Sequence, residues 1–308
     1  MEIKQIHQYE TFHQIGQGIG STIYKAWDTE KKCQVAVKLL NPVSYIQRDF
    51  DKIKLYENIK HPNLSRIHTV EHYQDSILIV SDYIEGRPLS ELLVKSEFPK
   101  ERFFYLFKKI AAALIELYKN NLIHGNLKPS NIILSDTFEP IITDPGLSPF
   151  KNFQKTPEFV VPYEAYHYIA PEQILNREPT NKSDFFALGV IAFRILTNRL
   201  PFTGSNEEET TQAILTEPPD FALIQPDQVR GIYSLFLGKM LAKDPTDRFA
   251  TGGELLATIN EVALFDQNIE DYSPFKPAPN NPRKYLSLSV LALLFIILWL
   301  VLTLSSHQ

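Results

Sequence analysis

The sequence predicts an α+β protein of two lobes: a small antiparallel sheet with one helix, then a larger helical lobe. Three observations carry this expectation. The first third alternates apolar and polar residues in runs of strand length. After Gly86 the apolar spacing becomes helical. The stretch Asp184 to Leu196 is apolar nearly all round, as in a helix buried in the middle of a lobe.

The strand patterns lie around Tyr9 to Ile15, Thr22 to Trp27, Gln34 to Leu40, Ile67 to His72 and Ser76 to Tyr83. One helical stretch, about Ile46 to Lys60, interrupts them. From Glu101 to Lys119 the apolar residues Phe104, Phe107, Ile110, Ala111, Leu114 and Leu117 recur at helical spacing.

The chain has 308 residues, 44% of them hydrophobic, enough for one large domain or two modest ones, with a real core. Its formal net charge is -5 and no basic tract stands out, so nucleic acid is not an expected partner. The one cysteine, Cys33, excludes an intrachain disulfide and a cysteine zinc cluster, and reads as an ordinary thiol beside a strand. The 8 histidines show no ligand spacing. The N-terminus lacks the apolar run of a signal peptide.

The C-terminal part is of another kind. Residues 286–304 carry no charge, and as a helix they would span about 28 Å, close to the hydrocarbon thickness of a bilayer. A soluble helix apolar on every face would need a surround that the remaining sequence does not supply. A single membrane span is therefore expected. Arg283 and Lys284 flank it, with Tyr285 as an interfacial aromatic, which puts the preceding domain in the cytoplasm. Only Ser305 to Gln308 follow, so no external sensor domain is expected. The span has no Gly-x-x-x-Gly, so a tight self-dimer of that type is not indicated, and the oligomeric state stays open. Pro274, Pro277, Pro279 and Pro282 mark an extended tether before it. The expected organisation is an extension over 1–8, a folded domain over 9–265, a tether over 266–285, the span over 286–304 and a tail over 305–308.

The chemistry-bearing residues form an ordered series. Gly16-Gln17-Gly18-Ile19-Gly20-Ser21 lies between two strand patterns, where glycines let backbone amides approach phosphates. Val35-Ala36-Val37-Lys38 follows. Then come His124-Gly125-Asn126-Leu127-Lys128-Pro129-Ser130-Asn131, Thr143-Asp144-Pro145-Gly146, Ala170-Pro171-Glu172, Lys182 to Gly189, and Asp244-Pro245-Thr246-Asp247-Arg248. Each alone is weak evidence. In this order and spacing the series resembles the protein kinase superfamily over about 9–265, closest to bacterial-type membrane-anchored Ser/Thr kinases.

The resemblance implies ATP and Mg2+ as ligands. It implies ATP contacts at Ile15, Gly16, Gly18, Ile23, Ala36 and Lys38, with Asp82 and Ile84 in the inter-lobe linker. Asn131 and Asp144 would be the metal ligands, and Lys128 would touch the terminal phosphate. Arg248 would pair with Glu172.

The chain also departs from the family's pattern, and the departures fall on one side of the mechanism. Asn126 stands where the family has the aspartate that accepts the substrate proton; an amide holds a hydroxyl but takes up no proton near neutral pH. Gly125 replaces the arginine that reads a phosphate on the activation segment. Lys52 stands at the position of the glutamate that pairs with Lys38, with Asp49 one turn earlier as a possible substitute. Pro145 replaces a phenylalanine whose ring would stack under the helix. Ala165 replaces a threonine that would bond the catalytic aspartate and Lys128, and Ser21 stands at the third loop glycine. Two function classes are expected. One is a membrane-tethered pseudokinase that binds ATP or a partner among cytoplasmic or membrane signalling proteins. The other is a slow Ser/Thr kinase, since phosphoryl transfer depends mostly on positioning and electrostatics.

Overall fold

The computed structural model describes residues 5–18, 20–40, 47–146, 166–225 and 227–271. The expected span 286–304, its tether beyond 271, and Ala165 lie outside these residues. Among the described residues no helix is long and apolar enough to cross a membrane.

The first lobe is a six-stranded antiparallel sheet. Its strands are β1 (Gln5–Ile6), β2 (Tyr9–Gly18), β3 (Ser21–Asp28), β4 (Cys33–Leu40), β5 (Ile67–Tyr73) and β6 (Ser76–Asp82). They lie in the order β1-β2-β3-β4-β6-β5. The expected strands thus all form, each within a few residues of its predicted ends.

Alternation along the strands sorts two faces. Ala26, Val35, Val37, Leu78 and Val80 join Ile6 and Tyr9 in one buried cluster. The residues between them point the other way. Across that second face Ile23 pairs with Lys38, Lys25 with Ala36, Lys38 with Ile79, and Ala36 with Ser81. Lys38 and Ala36 are therefore presented to the cleft by the same pleat that buries Val35 and Val37.

The expected helix over 46–60 is shorter. It comprises α1 (Gln47–Lys54) and a 3-10 turn, Leu55–Asn58. The ring of Phe50 stacks on His72 of β5 with centroids 4.2 Å apart, which lays α1 along the sheet. β5 is an edge strand, and the Glu57 carboxylate accepts the Val70 N–H at 2.5 Å, covering part of that edge.

The second lobe begins with β7 (Arg87–Pro88) and α2 (Leu89–Val94), then α3 (Phe103–Lys119). The buried stripe of α3 runs through Phe103, Leu106, Phe107, Ile110, Ala111, Leu114 and Leu117. Phe104 is only partly buried; its ring lies against Tyr233 at the rim of the stripe. β8 (Ile132–Leu134) and β9 (Pro140–Ile142) complete a small sheet with β7.

Then follow α4 (Pro171–Ile174), α5 (Asn181–Thr197), α6 (Glu207–Thr216), α7 (Asp227–Met240) and α8 (Gly252–Asp271). As the sequence predicts, α5 is buried from Ser183 through Phe193. Its start is set by Thr180, whose hydroxyl accepts the Lys182 N–H, with Ser183 returning a bond to the Thr180 amide.

Backbone and side-chain bonds join the two lobes behind the cleft. Ser65 N–H donates to the Ile142 carbonyl at 2.8 Å, and Ile142 N–H to Asn63 at 2.9 Å. The Asn63 amide donates to Glu139 and to the Pro140 carbonyl, both at 2.7 Å. Glu139 also holds Lys109 at 3.1 Å and accepts the Tyr105 hydroxyl, so a single carboxylate gathers the first lobe, β9 and α3.

Candidate functional site

The floor of the cleft is the loop 122–131. Its frame is Asp184 of α5, whose carboxylate accepts the backbone N–H of His124 at 2.8 Å and of Gly125 at 2.7 Å. The Tyr118 hydroxyl donates to the same carboxylate at 3.2 Å. Burial pushes Asp184 up to about 6 despite the opposing backbone bonds. Gly125 sits at φ 72°, a left-handed conformation that glycine adopts without the steric cost a side chain would bring.

His124 is fully buried, and burial lowers it to about 4 against the raising effect of the Thr143 carbonyl. Its ring is neutral near pH 7. The Asn126 N–H donates to Nδ1 at 3.3 Å, so Nε2 carries the proton and donates to Thr143 at 3.0 Å. The ring thereby links the loop bearing Asn126 to the turn bearing Asp144.

Asn131 is buried, and its Nδ2 donates to the Asn126 carbonyl at 2.9 Å. That bond commits the amide nitrogen to the loop and leaves the side-chain oxygen as the acceptor end. Asp144 stands at φ 58° and faces Lys38, with Nζ and Oδ1 2.8 Å apart. Their side chains are 13% and 25% exposed, so solvent screens this pair only in part. The lysine that the sequence leaves without its helix glutamate thus has Asp144 as its carboxylate. Lys52 lies in the last turn of α1, and of Asp49 only its place in that helix is described.

The roof is the β2–β3 hairpin. Gly18 pairs with Ser21, and Gly20 turns at φ 59°. Gly16 pairs with Ile23, whose side chain lies 3.5 Å from where a Gly16 methyl would be. Ile15 is 50% exposed at the hairpin's rim.

The linker between the lobes runs from Asp82 through Ile84. Asp82 N–H donates to the Arg66 carbonyl at 3.0 Å, so this residue has only its carbonyl to offer a ligand. That carbonyl shares a long 3.4 Å bond from Ser65. The carboxylate accepts His68 Nε2 at 2.7 Å, which holds Asp82 below the usual carboxylate range. Lys25 lies 4.2 Å over the Tyr83 ring, tying β3 to the linker.

The structure thus places Lys38 against Asp144 and ties Asn131 to the Asn126 carbonyl, with Asp144, Lys128 and Lys38 all within electrostatic reach of His124. Tyr56, Tyr118 and Gln173 were not singled out by the sequence. Gln173 Nε2 donates to the Gly125 carbonyl at 3.3 Å while its Oε1 caps the Ala170 N–H, so it ties α4 to the loop. Below α4, Arg248 grips Glu172 through two 2.9 Å bonds, with the side chains 0% and 4% exposed.

A family profile described as protein kinase domain matches residues 9–258. The chain belongs to the protein kinase family. Serine/threonine-protein kinase PrkC of Bacillus subtilis is 28% identical over 82% of this chain and 40% of its own length. Serine/threonine-protein kinase PknD of Mycobacterium tuberculosis is 26% identical over 84% of this chain and 40% of its own. This kinase chain therefore spans about two fifths of the length of these relatives. Among solved structures it resembles Rad53 1-466 in complex with AMP-PNP, with TM-score 0.68 and 22% identity over 82% of this chain and 65% of the other. That likeness concerns the bilobal kinase fold.

Proposed function

We propose that this protein is a membrane-anchored pseudokinase: a kinase-fold signalling or scaffold module that binds ATP with Mg2+ and transfers phosphate slowly or not at all. The observation that carries the reading is the Lys38–Asp144 pair at 2.8 Å beside Asn126 at the proton-acceptor position. The nucleotide side of the cleft is kept, and the transfer side has lost its base.

The donor set fits the ligands. Asp144 and Asn131 offer the hard oxygens that Mg2+ prefers, and would hold it between them. Bound there, the cation would neutralise phosphate charge. Lys38 would then turn from Asp144 to phosphate oxygens, and Gly16 and Gly18 would let the hairpin backbone close over them. Asn126 would hold an incoming hydroxyl without accepting its proton. The apolar segment 286–304 would anchor the domain at the cell membrane, where its partners would be cytoplasmic or membrane signalling proteins.

A slow Ser/Thr kinase is the second reading. It is favoured by Asp144 and Asn131 standing ready on a frame held by Asp184, and by the names of the bacterial relatives. Two measurements on the full chain in detergent micelles separate them. Thermal unfolding with ATP and Mg2+ should rise by about 5 °C at a hundredfold excess over Kd. Labelled ATP should leave phosphate incorporation at the background seen with Asp144→Ala. Incorporation that Asp144→Ala abolishes would establish the kinase reading instead. No thermal shift at millimolar nucleotide would leave a scaffold without a ligand.

A further inference from the structure

The edge strand β5 is irregular at one residue. Ile67 pairs with Ser81 and Thr69 with Val80, so two steps along β5 answer one step along β6. His68 is the extra residue of this bulge. A bulge interrupts the regular pairing of an edge strand and re-aims the side chain it carries. The imidazole of His68 is 11% exposed, and its Nε2 lies 2.7 Å from Oδ1 of Asp82, where the linker between the lobes begins.

Other bonds at Asp82 come from the same short stretch. Its second carboxylate oxygen accepts the Arg66 N–H at 3.2 Å, and its own N–H donates to the Arg66 carbonyl at 3.0 Å. The start of the linker is thus strapped to the start of β5 by side chain and backbone together. A carboxylate only accepts, so Nε2 donates, and the bond holds whether or not the ring is charged. The Asp82 side chain is 43% exposed, where water screens charge, so the bond contributes direction more than ion-pair energy.

We propose that His68 is a positioning residue for the base of the nucleotide. Delivered by the bulge, its imidazole clamps Asp82 and thereby fixes the backbone edge from Asp82 to Ile84, which would present a set pattern of donors and acceptors to adenine. The role in base recognition rests on the nucleotide reading above; the role in holding the linker does not.

Calorimetry on the full chain in micelles with Mg2+ tests the base directly, using ATP, GTP and inorganic tripolyphosphate. His68→Leu removes the donor and keeps an apolar side chain of similar bulk. It should weaken ATP by about tenfold, leave tripolyphosphate unchanged and narrow the preference for ATP over GTP, because a slack edge matches neither base. His68→Gln, which keeps an N–H donor at similar reach, should recover most of the loss. Asp82→Ala should weaken ATP alone in the same way, and His68→Leu added to it should cost nothing more. Where His68→Leu does not fold, Asp82→Ala carries the same comparison at a more exposed position.

Amide exchange of the ligand-free chain reads the clamp itself. His68→Leu should speed exchange at residues 66–68 and 81–84 by about tenfold, with α3 and α5 unchanged. Equal losses for ATP and tripolyphosphate, or faster exchange throughout the first lobe, would mark His68 as a residue of general stability and overturn the proposal. Losses that add in the double variant would overturn it too. A wild-type chain that binds neither ATP nor tripolyphosphate would remove the nucleotide reading, while the exchange result would still decide whether His68 holds the linker.

Discussion

Burial sets the protonation of His124, and that has a consequence for stability. In the unfolded chain an imidazole takes up a proton below about 6.5, whereas the folded one does so only below about 4. The folded state thus keeps its full advantage above pH 6.5 and loses it as pH falls toward 4. His124→Gln cannot titrate. The stability difference between wild type and this variant in urea should shrink as pH drops from 6.5 to 4, by at most about 3 kcal/mol. A difference that stays constant over that window would show that the ring is protonated in the fold. Much of this residue scale was legible in advance: the order of the motifs marks Lys38, Asn131 and Asp144 as neighbours. The lysine's new partner was not legible, because the pair depends on Asp144 turning at φ 58°, a backbone choice that no spacing records.

At the scale of elements, α4 is held by a clamp rather than by its own length. Arg248 donates from both terminal guanidinium nitrogens to Glu172, and from its Nε to the Ala242 carbonyl at 2.8 Å; Ser183 of α5 adds a 2.7 Å bond to Glu172. Removing one member leaves the other charge buried. Arg248→Met should cost about 3–5 kcal/mol in urea unfolding, and Glu172→Met with Arg248→Met should recover most of that loss. Equal losses in the single and double variants would locate the energy elsewhere. The sequence displayed both partners through their motifs. It did not display how α1 ends, since Leu55 and Tyr56 continue an ordinary helical pattern. The break into a 3-10 turn comes from what Tyr56 and Glu57 reach, which lies far along the chain. The stripe of α3 shows the same limit: Phe103 and Phe104 are equally apolar, yet it is Phe103, stacked on Phe107, that lies inside, while both rings meet Tyr233.

For the whole molecule, the proposed membrane anchor would put the uncharged segment 286–304 in a different solvent from the two-lobed kinase domain. Deleting 286–304 should move the expressed chain from the membrane pellet to the soluble fraction without changing the thermal unfolding of the domain. Retention in the pellet would point to another attachment. The bilobal architecture was readable because the switch from strand to helical spacing follows solvent exposure, which composition reflects. The bracing between the lobes was not. Asn63 and Glu139 stand 76 positions apart, and their bond becomes visible only when the chain between them has folded back.

The Lys38–Asp144 pair also makes the free cleft its own occupant. Under the proposed function, a cation recruited by Asp144 would release the lysine for phosphate, and a phosphate recruited by Lys38 would release the carboxylate for a cation. Each ligand removes a cost the other would meet, so the two would bind with positive linkage, by the same factor whichever arrives first. A cleft that worked this way would report the joint presence of metal and nucleotide, and would respond weakly to either alone.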